Sequence, residues 1–273
     1  MFQNINVEYE QEEINEQKSN SKRNYLKEIF SIQNILLYII TFGVSMVSFG
    51  EKITPFGISI FAAVCSNTIP AGIVFILAGI GSYIGLGNQG ILTYLLTSLV
   101  FCVFSLIYRP KFENQLRNEK RKLGAHLVTA TFLVQIMGIA FKTFYVYDFI
   151  TSILATMITY VFYKIFANSL TVIKDYKSKL AFTIEEVIGA SLLIAISVSC
   201  LFNFTIFGFS VRNILCILLV LILGWKNGIL VGTTGGVTIG VVLGIVGNED
   251  PMLIAAFALS RNDSRYFKQI TVK

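Results

Sequence analysis

GWKNGILVGTTGGVTIGVVLGIV, residues 224–246, decides the fold class. It places a glycine at every fourth position, Gly224, Gly228, Gly232, Gly236, Gly240 and Gly244, and the last five are separated only by apolar residues, threonine and Gly235. Four residues of α-helix turn about 400°, so the spacing predicts a slanted stripe without side chains, along which a second helix can approach closely. In water such a segment is a poor helix, because each interior glycine costs about 1 kcal/mol relative to alanine. In lipid every backbone amide must be bonded within the segment, and helix is then the open choice.

Composition extends that reading to the whole chain. Of 273 residues, 54% are hydrophobic and 14% charged, against about 25% charged in soluble domains. Between Ile32 and Ile107 the charges are Glu51 and Lys52, and between Val187 and Val246 they are Arg212 and Lys226. A soluble protein of this size has too much surface for that distribution, so the sequence predicts an all-α, polytopic transmembrane helix bundle.

A helix needs about 20 residues to cross roughly 30 Å of hydrocarbon. On that basis the apolar stretches 32–49, 53–64, 69–86, 91–107, 125–141, 147–166, 187–202, 209–223 and 229–246 predict about nine complete spans, with 252–259 a truncated tenth. The second is short and begins near Pro55, as a re-entrant piece would. Three regions follow: a hydrophilic tail over 1–31, a multi-pass membrane domain over 32–259 and a polar tail over 260–273.

Orientation is read from lysine and arginine. With the amino terminus inside, the inner segments hold Lys18, Lys22, Arg23, Lys27, Arg109, Lys111, Arg117, Lys120, Arg121, Lys122, Lys164, Lys174, Lys177, Lys179 and Lys226, whereas the outer ones hold Lys52, Lys142 and Arg212. The bias predicts a cytoplasmic amino terminus in a bacterial cell membrane and favours the second span as a true crossing. The formal net charge of +6 is thus a topology signal, with the lipid bilayer as partner and no nucleic acid. The first long apolar run lacks the small-residue cleavage site of a secretory signal.

Several constellations imitate chemistry. The glycines of GLGNQG, residues 85–90, match a dinucleotide pattern whose mechanism needs a preceding strand; between two apolar spans they predict a tight turn. Gly81 and Gly85 carry GxxxG spacing and predict helix contact. Cys65, Cys102, Cys200 and Cys216 stand singly in apolar spans, and His126 is the single histidine, so no metal site, triad, catalytic residue or cofactor is expected. Thr183, Glu185 and Glu186 belong to TIEE, the sequence of a capping box, in which the Thr183 hydroxyl and the Glu186 carboxylate satisfy amides at a helix start; a contact with a cytoplasmic partner is the alternative. Arg212, just inside the outer end of its span, either snorkels to the headgroups or forms an ion pair with Glu249 or Asp250 of the next outer loop. No carboxylate lies near the centre of a span, which weighs against an ion-coupled carrier while leaving a transporter subunit for a small neutral solute as the competing class.

The run KLAFTIEEVIGASLLIAISVSCLFNFTIFGFSVRNILCILLVLILGWKNGILVGTTGGVTIGVVLGIV, residues 179–246, resembles the membrane region of the stage II sporulation protein E family of endospore-forming bacteria. The likeness rests on AFTIEE, FGFSVRNI, GWKNG and GGVTIGVVLGI, with TPFGISIFAAV and the basic inter-span loop fitting less specifically, and it covers about residues 30 to 258. The resemblance implies about ten spans with both ends cytoplasmic, followed by a regulatory segment and a manganese- or magnesium-dependent serine/threonine phosphatase domain. It also implies gathering at the asymmetric division septum with division proteins and activation of the first forespore sigma factor. After Leu259 the chain turns polar in SRNDSRYFKQITVK, so a membrane anchor and septal-localisation or self-association module without the phosphatase domain is expected, as a frameshift, premature stop or natural short form would leave.

Overall fold

A computed structural model describes residues 30–48, 54–65, 71–107, 116–140, 145–175, 182–201, 204–206 and 209–247, with backbone alone at 116–121, 174–175, 229 and 247. The order is α1 (Ile32–Met46), α2 (Pro55–Cys65), α3 (Ala71–Ile107), α4 (Leu116–Ala140), α5 (Val146–Asp175), α6 (Ile184–Val198), a 3-10 turn (Ser199–Leu201), the two-residue strands β1 (Thr205–Ile206) and β2 (Phe209–Ser210), and α7 (Val211–Gly247). The all-α class holds. The strands pair Thr205 with Ser210 and Ile206 with Phe209 in a small antiparallel hairpin; the sequence reading places β1 between two spans and β2 in the start of the second.

Two of these helices fold back on themselves. In α3, Gly87 has φ 64 and ψ −148, a region open to glycine because it lacks a Cβ. The Tyr94 hydroxyl donates to the Phe75 carbonyl at 3.1 Å across 19 residues, which a continuous helix would hold about 28 Å apart. The GLGNQG stretch is therefore a turn joining two antiparallel arms, 71–86 and 88–107. In α7, Gly228 has φ 86 and ψ −179. There Leu223 Cδ1 lies 3.3 Å from where a Cβ on Gly235 would sit, a separation of about 18 Å were the helix unbroken.

The expected count of nine complete spans with a truncated tenth is not supported. Among the described residues five helices are long and apolar enough to cross a membrane, with Ala71–Ile107 taken end to end across its turn: Ala71–Ile107, Lys122–Ala140, Val146–Ile173, Ile184–Leu201 and Val211–Gly228. Ile32–Met46, Pro55–Cys65 and Leu230–Val246 are apolar but shorter. At 1.5 Å per residue α2 covers about 16 Å, about half of the roughly 30 Å of hydrocarbon, so an apolar run between turns is not by itself a crossing. Residues 252–259 lie outside the described residues.

Helix α2 forms the centre. It starts on Pro55, suited to a first helical position because its missing N–H has no acceptor there, and every residue from Pro55 to Val64 is buried. A helix apolar on all sides belongs inside a bundle. Phe61 packs its ring against Phe75, Tyr94 and Phe101 at centroid distances of 5.4, 6.4 and 6.2 Å, tying α2 to both arms of α3. Phe56 meets Phe162 of α5 edge-on at 4.7 Å, and the Ser59 hydroxyl donates to the Thr159 carbonyl at 2.9 Å. Because Gly57 lies against Ser82 and Phe61 against Phe75, α2 runs antiparallel to the first arm of α3 and passes through the bundle in one direction.

The outer faces are apolar too. Ile76, Ile80 and Ile84 on α3, Ile150, Leu154 and Met157 on α5, and Ile214, Leu218 and Ile222 on α7 are exposed at helical spacing. Faces of that extent exceed what water tolerates on a monomer, and lipid is the solvent that suits them.

Candidate functional site

Among the described residues no group of three or more His, Cys, Asp or Glu is placed to hold a metal ion, and the four cysteines are free thiols, Cys65, Cys102 and Cys216 in apolar helices and Cys200 in the 3-10 turn. The candidate residues are instead those that set how helices meet.

Gly81 and Gly85 press the first arm of α3 onto the last turn of α1. A Cβ on Gly81 would lie 2.7 Å from Ser45 Cβ and 3.0 Å from the Phe42 carbonyl oxygen, while one on Gly85 would collide with the Met46 carbonyl. Gly43 makes a matching approach to Ser197 at the end of α6, an approach the sequence reading missed because Gly43 has no glycine four residues away.

The glycine ladder divides. Gly228 is exposed at the turn with nothing within 4 Å of its Cβ position, so as a packing residue it is a correction: its conformational freedom makes the hairpin. Gly224 lies on the first arm of α7, and Gly232, Gly236, Gly240 and Gly244 on the second. Gly232, Gly236 and Gly240 are buried within the single chain and Gly244 half-buried. Gly235, which is off the ladder, contacts Leu223 across the hairpin.

Thr183 caps α6 as its sequence predicts. The Glu186 amide donates to Thr183 Oγ1 at 3.3 Å, and the Thr183 amide donates to Glu186 Oε2 at 3.0 Å. The other carboxylate oxygen of Glu186 accepts from the Thr171 hydroxyl of α5 at 3.3 Å, so this cap also joins two helices. Glu185 is exposed beside it, and both acids suit the positive end of the helix dipole. Arg212 is buried, 2% exposed, at the start of α7, and its Nε donates to Asn213 Oδ1 at 3.3 Å. Glu249 and Asp250, its expected partners, lie outside the described residues.

One polar cluster had no signal in the sequence. Thr41 and Ser45 of α1 and Ser82 of α3 are fully buried, and their hydroxyls have no hydrogen-bond partner among the described residues. Ser82 Oγ and Ser45 Oγ both face the Cβ position of Gly57 in the first turn of α2, at 2.9 and 3.3 Å.

With this architecture, the sequence matches the family described as SpoIIE, N-terminal domain, over residues 1–260. The chain belongs to the SpoIIE N-terminal domain family. It is 24% identical over 239 residues to the stage II sporulation protein E of Bacillus subtilis (strain 168), covering 86% of this chain and 28% of that protein. No solved structure matches. The central α2, the turns at Gly87 and Gly228, and the cap joining α5 to α6 thus describe a SpoIIE N-terminal domain, and the AFTIEE and GWKNG motifs that carried the resemblance fall on two of these features.

Proposed function

We propose that this chain is the membrane-anchoring and septal-localisation region of a stage II sporulation protein E type protein, acting in endospore formation. The observation that carries the reading is the family match over residues 1–260 on a helical bundle whose outer faces are apolar. In this proposal the amino terminus is cytoplasmic, as the lysine and arginine bias supports, and the arms of the α3 and α7 hairpins act as separate crossings. The partners are the lipid bilayer, division-septum proteins and a second copy of the chain, with Gly232, Gly236, Gly240 and Gly244 serving helix packing within α7 and its neighbours. Exposed Glu185 is a contact point for a cytoplasmic partner, and Arg212 pairs with Glu249 or Asp250. The serine/threonine phosphatase activity that the resemblance implies for the longer family protein resides, in this reading, outside residues 1–260.

A fluorescent fusion in sporulating cells tests it. A band at the asymmetric septum is expected, and its loss in a Gly236→Leu, Gly240→Leu variant would tie localisation to glycine packing. Even envelope staining with growth that depends on a supplied solute would replace this reading with the transporter class, which the short enclosed α2 favours, since broken or short helices line solute sites in carriers.

A further inference from the structure

Thirteen serine and threonine side chains are buried among the described residues. Ten of them, at Ser59, Thr97, Ser98, Thr131, Ser152, Thr156, Thr159, Ser169, Ser191 and Ser199, donate to a carbonyl three or four residues back in their own helix. That is the ordinary way to satisfy a hydroxyl in an apolar bundle. Of the three that do not, Ser45 and Ser82 face the same point on Gly57, and Thr41 lies one helical turn before Ser45 on α1.

The junction is built by close packing. Thr41 and Ser45 are one helical turn apart and so share a face of α1. Gly57 of α2 and Gly81 of α3 present α-hydrogens where other residues would present side chains, which brings Ser45 within 2.7 Å of the Gly81 Cβ position. The Phe42 carbonyl oxygen turns to the same place, 3.0 Å from that position. The Ser45 and Ser82 hydroxyls thus come from two helices to the first turn of a third, with Thr41 one turn back along the same face of α1 and the Phe42 carbonyl beside Gly81. Leaving a buried hydroxyl unbonded costs about 1–3 kcal/mol, and three such hydroxyls on adjoining turns is not the pattern of the other ten.

We propose that the α1–α2–α3 junction is a hydration site, at which an internal water bridges the hydroxyls of Thr41, Ser45 and Ser82 and locks the three helices together. Water suits the chemistry, because it both donates and accepts and is held in proteins by about three bonds to buried polar groups. A cation does not, since three neutral hydroxyls bring no charge to offset its desolvation.

The sign of the response to alanine tests the proposal. The 273-residue chain is unfolded thermally in detergent micelles as wild type, Ser45→Ala, Ser82→Ala, the double variant, and the shape-conserving Thr41→Val. A bridging water predicts that each single change lowers the midpoint by about 2–4 °C, and that the double lowers it by less than the sum, because both lose the same water. Dry hydroxyls predict the opposite: alanine removes an unpaired polar group, so midpoints hold or rise and the changes add, which overturns the proposal. Thr41→Val separates hydroxyl loss from loss of volume. Repeating the melts in sodium, potassium and choline chloride at equal ionic strength is expected to change nothing, and a shift specific to one cation would overturn water as the occupant.

Discussion

Two glycines on one arm of α3 face the same substitution with opposite expected outcomes. Replacing Gly85 by alanine puts a methyl into the Met46 carbonyl, with Met46 C at 3.0 Å and Cα at 3.4 Å. All of these are backbone atoms, so no rotamer change relieves the clash, and α1 must move by about 1 Å to restore ordinary contact at 3.5–4.0 Å. Overpacking of this kind costs about 1–3 kcal/mol, and a backbone obstacle puts it at the upper end. Replacing Gly79 puts the methyl 3.5 Å from Tyr94 Cε1 and 3.7 Å from Cδ1, which is normal van der Waals contact. Both changes gain about 1 kcal/mol of helix propensity. Gly85→Ala is therefore expected to destabilise by about 1–2 kcal/mol and Gly79→Ala to stabilise by about 0.5–1 kcal/mol. At about 2–4 °C per kcal/mol the two midpoints separate by roughly 3–12 °C. A thiol-reactive fluorogenic dye provides the assay, since Cys216 is 1% exposed and reacts on unfolding. Equal shifts of the same sign in both variants would refute the close approach of α1 to the 71–86 arm.

Three further outcomes follow from the geometry. Thr183→Ala should cost about 0.5–2 kcal/mol, and Glu186→Ala more, because it also loses the bond from Thr171; hydrogen exchange at the first-turn amides of α6 should quicken in both, and unchanged exchange would remove the cap. Gly87→Ala and Gly228→Ala should each destabilise by about 1–3 kcal/mol, because positive φ with ψ of −148 and −179 is backbone essentially confined to glycine; a melt in which alanine is neutral would contradict the hairpins. Phe61→Ala empties the space shared by Phe75, Tyr94 and Phe101 and should cost about 3–5 kcal/mol, the largest midpoint fall of the set; a loss below 1 kcal/mol would mean that α2 does not organise the core.

Much of the architecture was legible from local pattern. The turns at GLGNQG and GWKNG stand between apolar runs, and the TIEE cap is complete within four residues, so nothing distant was needed to read them. Gly81 and Gly85 were legible as a contact pair from their spacing, but the partner surface, the end of α1, was not. The single stripe drawn from Gly224 to Gly244 went astray because periodicity does not register a change of direction: Gly228 keeps the spacing while its φ of 86 reverses the chain. The span count is not supported for a related reason, since hydropathy records that a segment is apolar and not whether lipid or protein surrounds it. That is why α2, apolar on every side and shorter than a bilayer, read as a crossing.

The sequence by itself determined that the chain is an all-α membrane protein, where its turns fall and how α6 begins, because hydropathy, glycine at positive φ and capping are settled within a few residues. Only the tertiary structure decided that α2 is the enclosed centre, that Arg212 is buried, and that Ser45 and Ser82 meet at Gly57. Each of these depends on which faces of helices distant in sequence are pressed together, and packing of that kind leaves no periodic trace in any one of them.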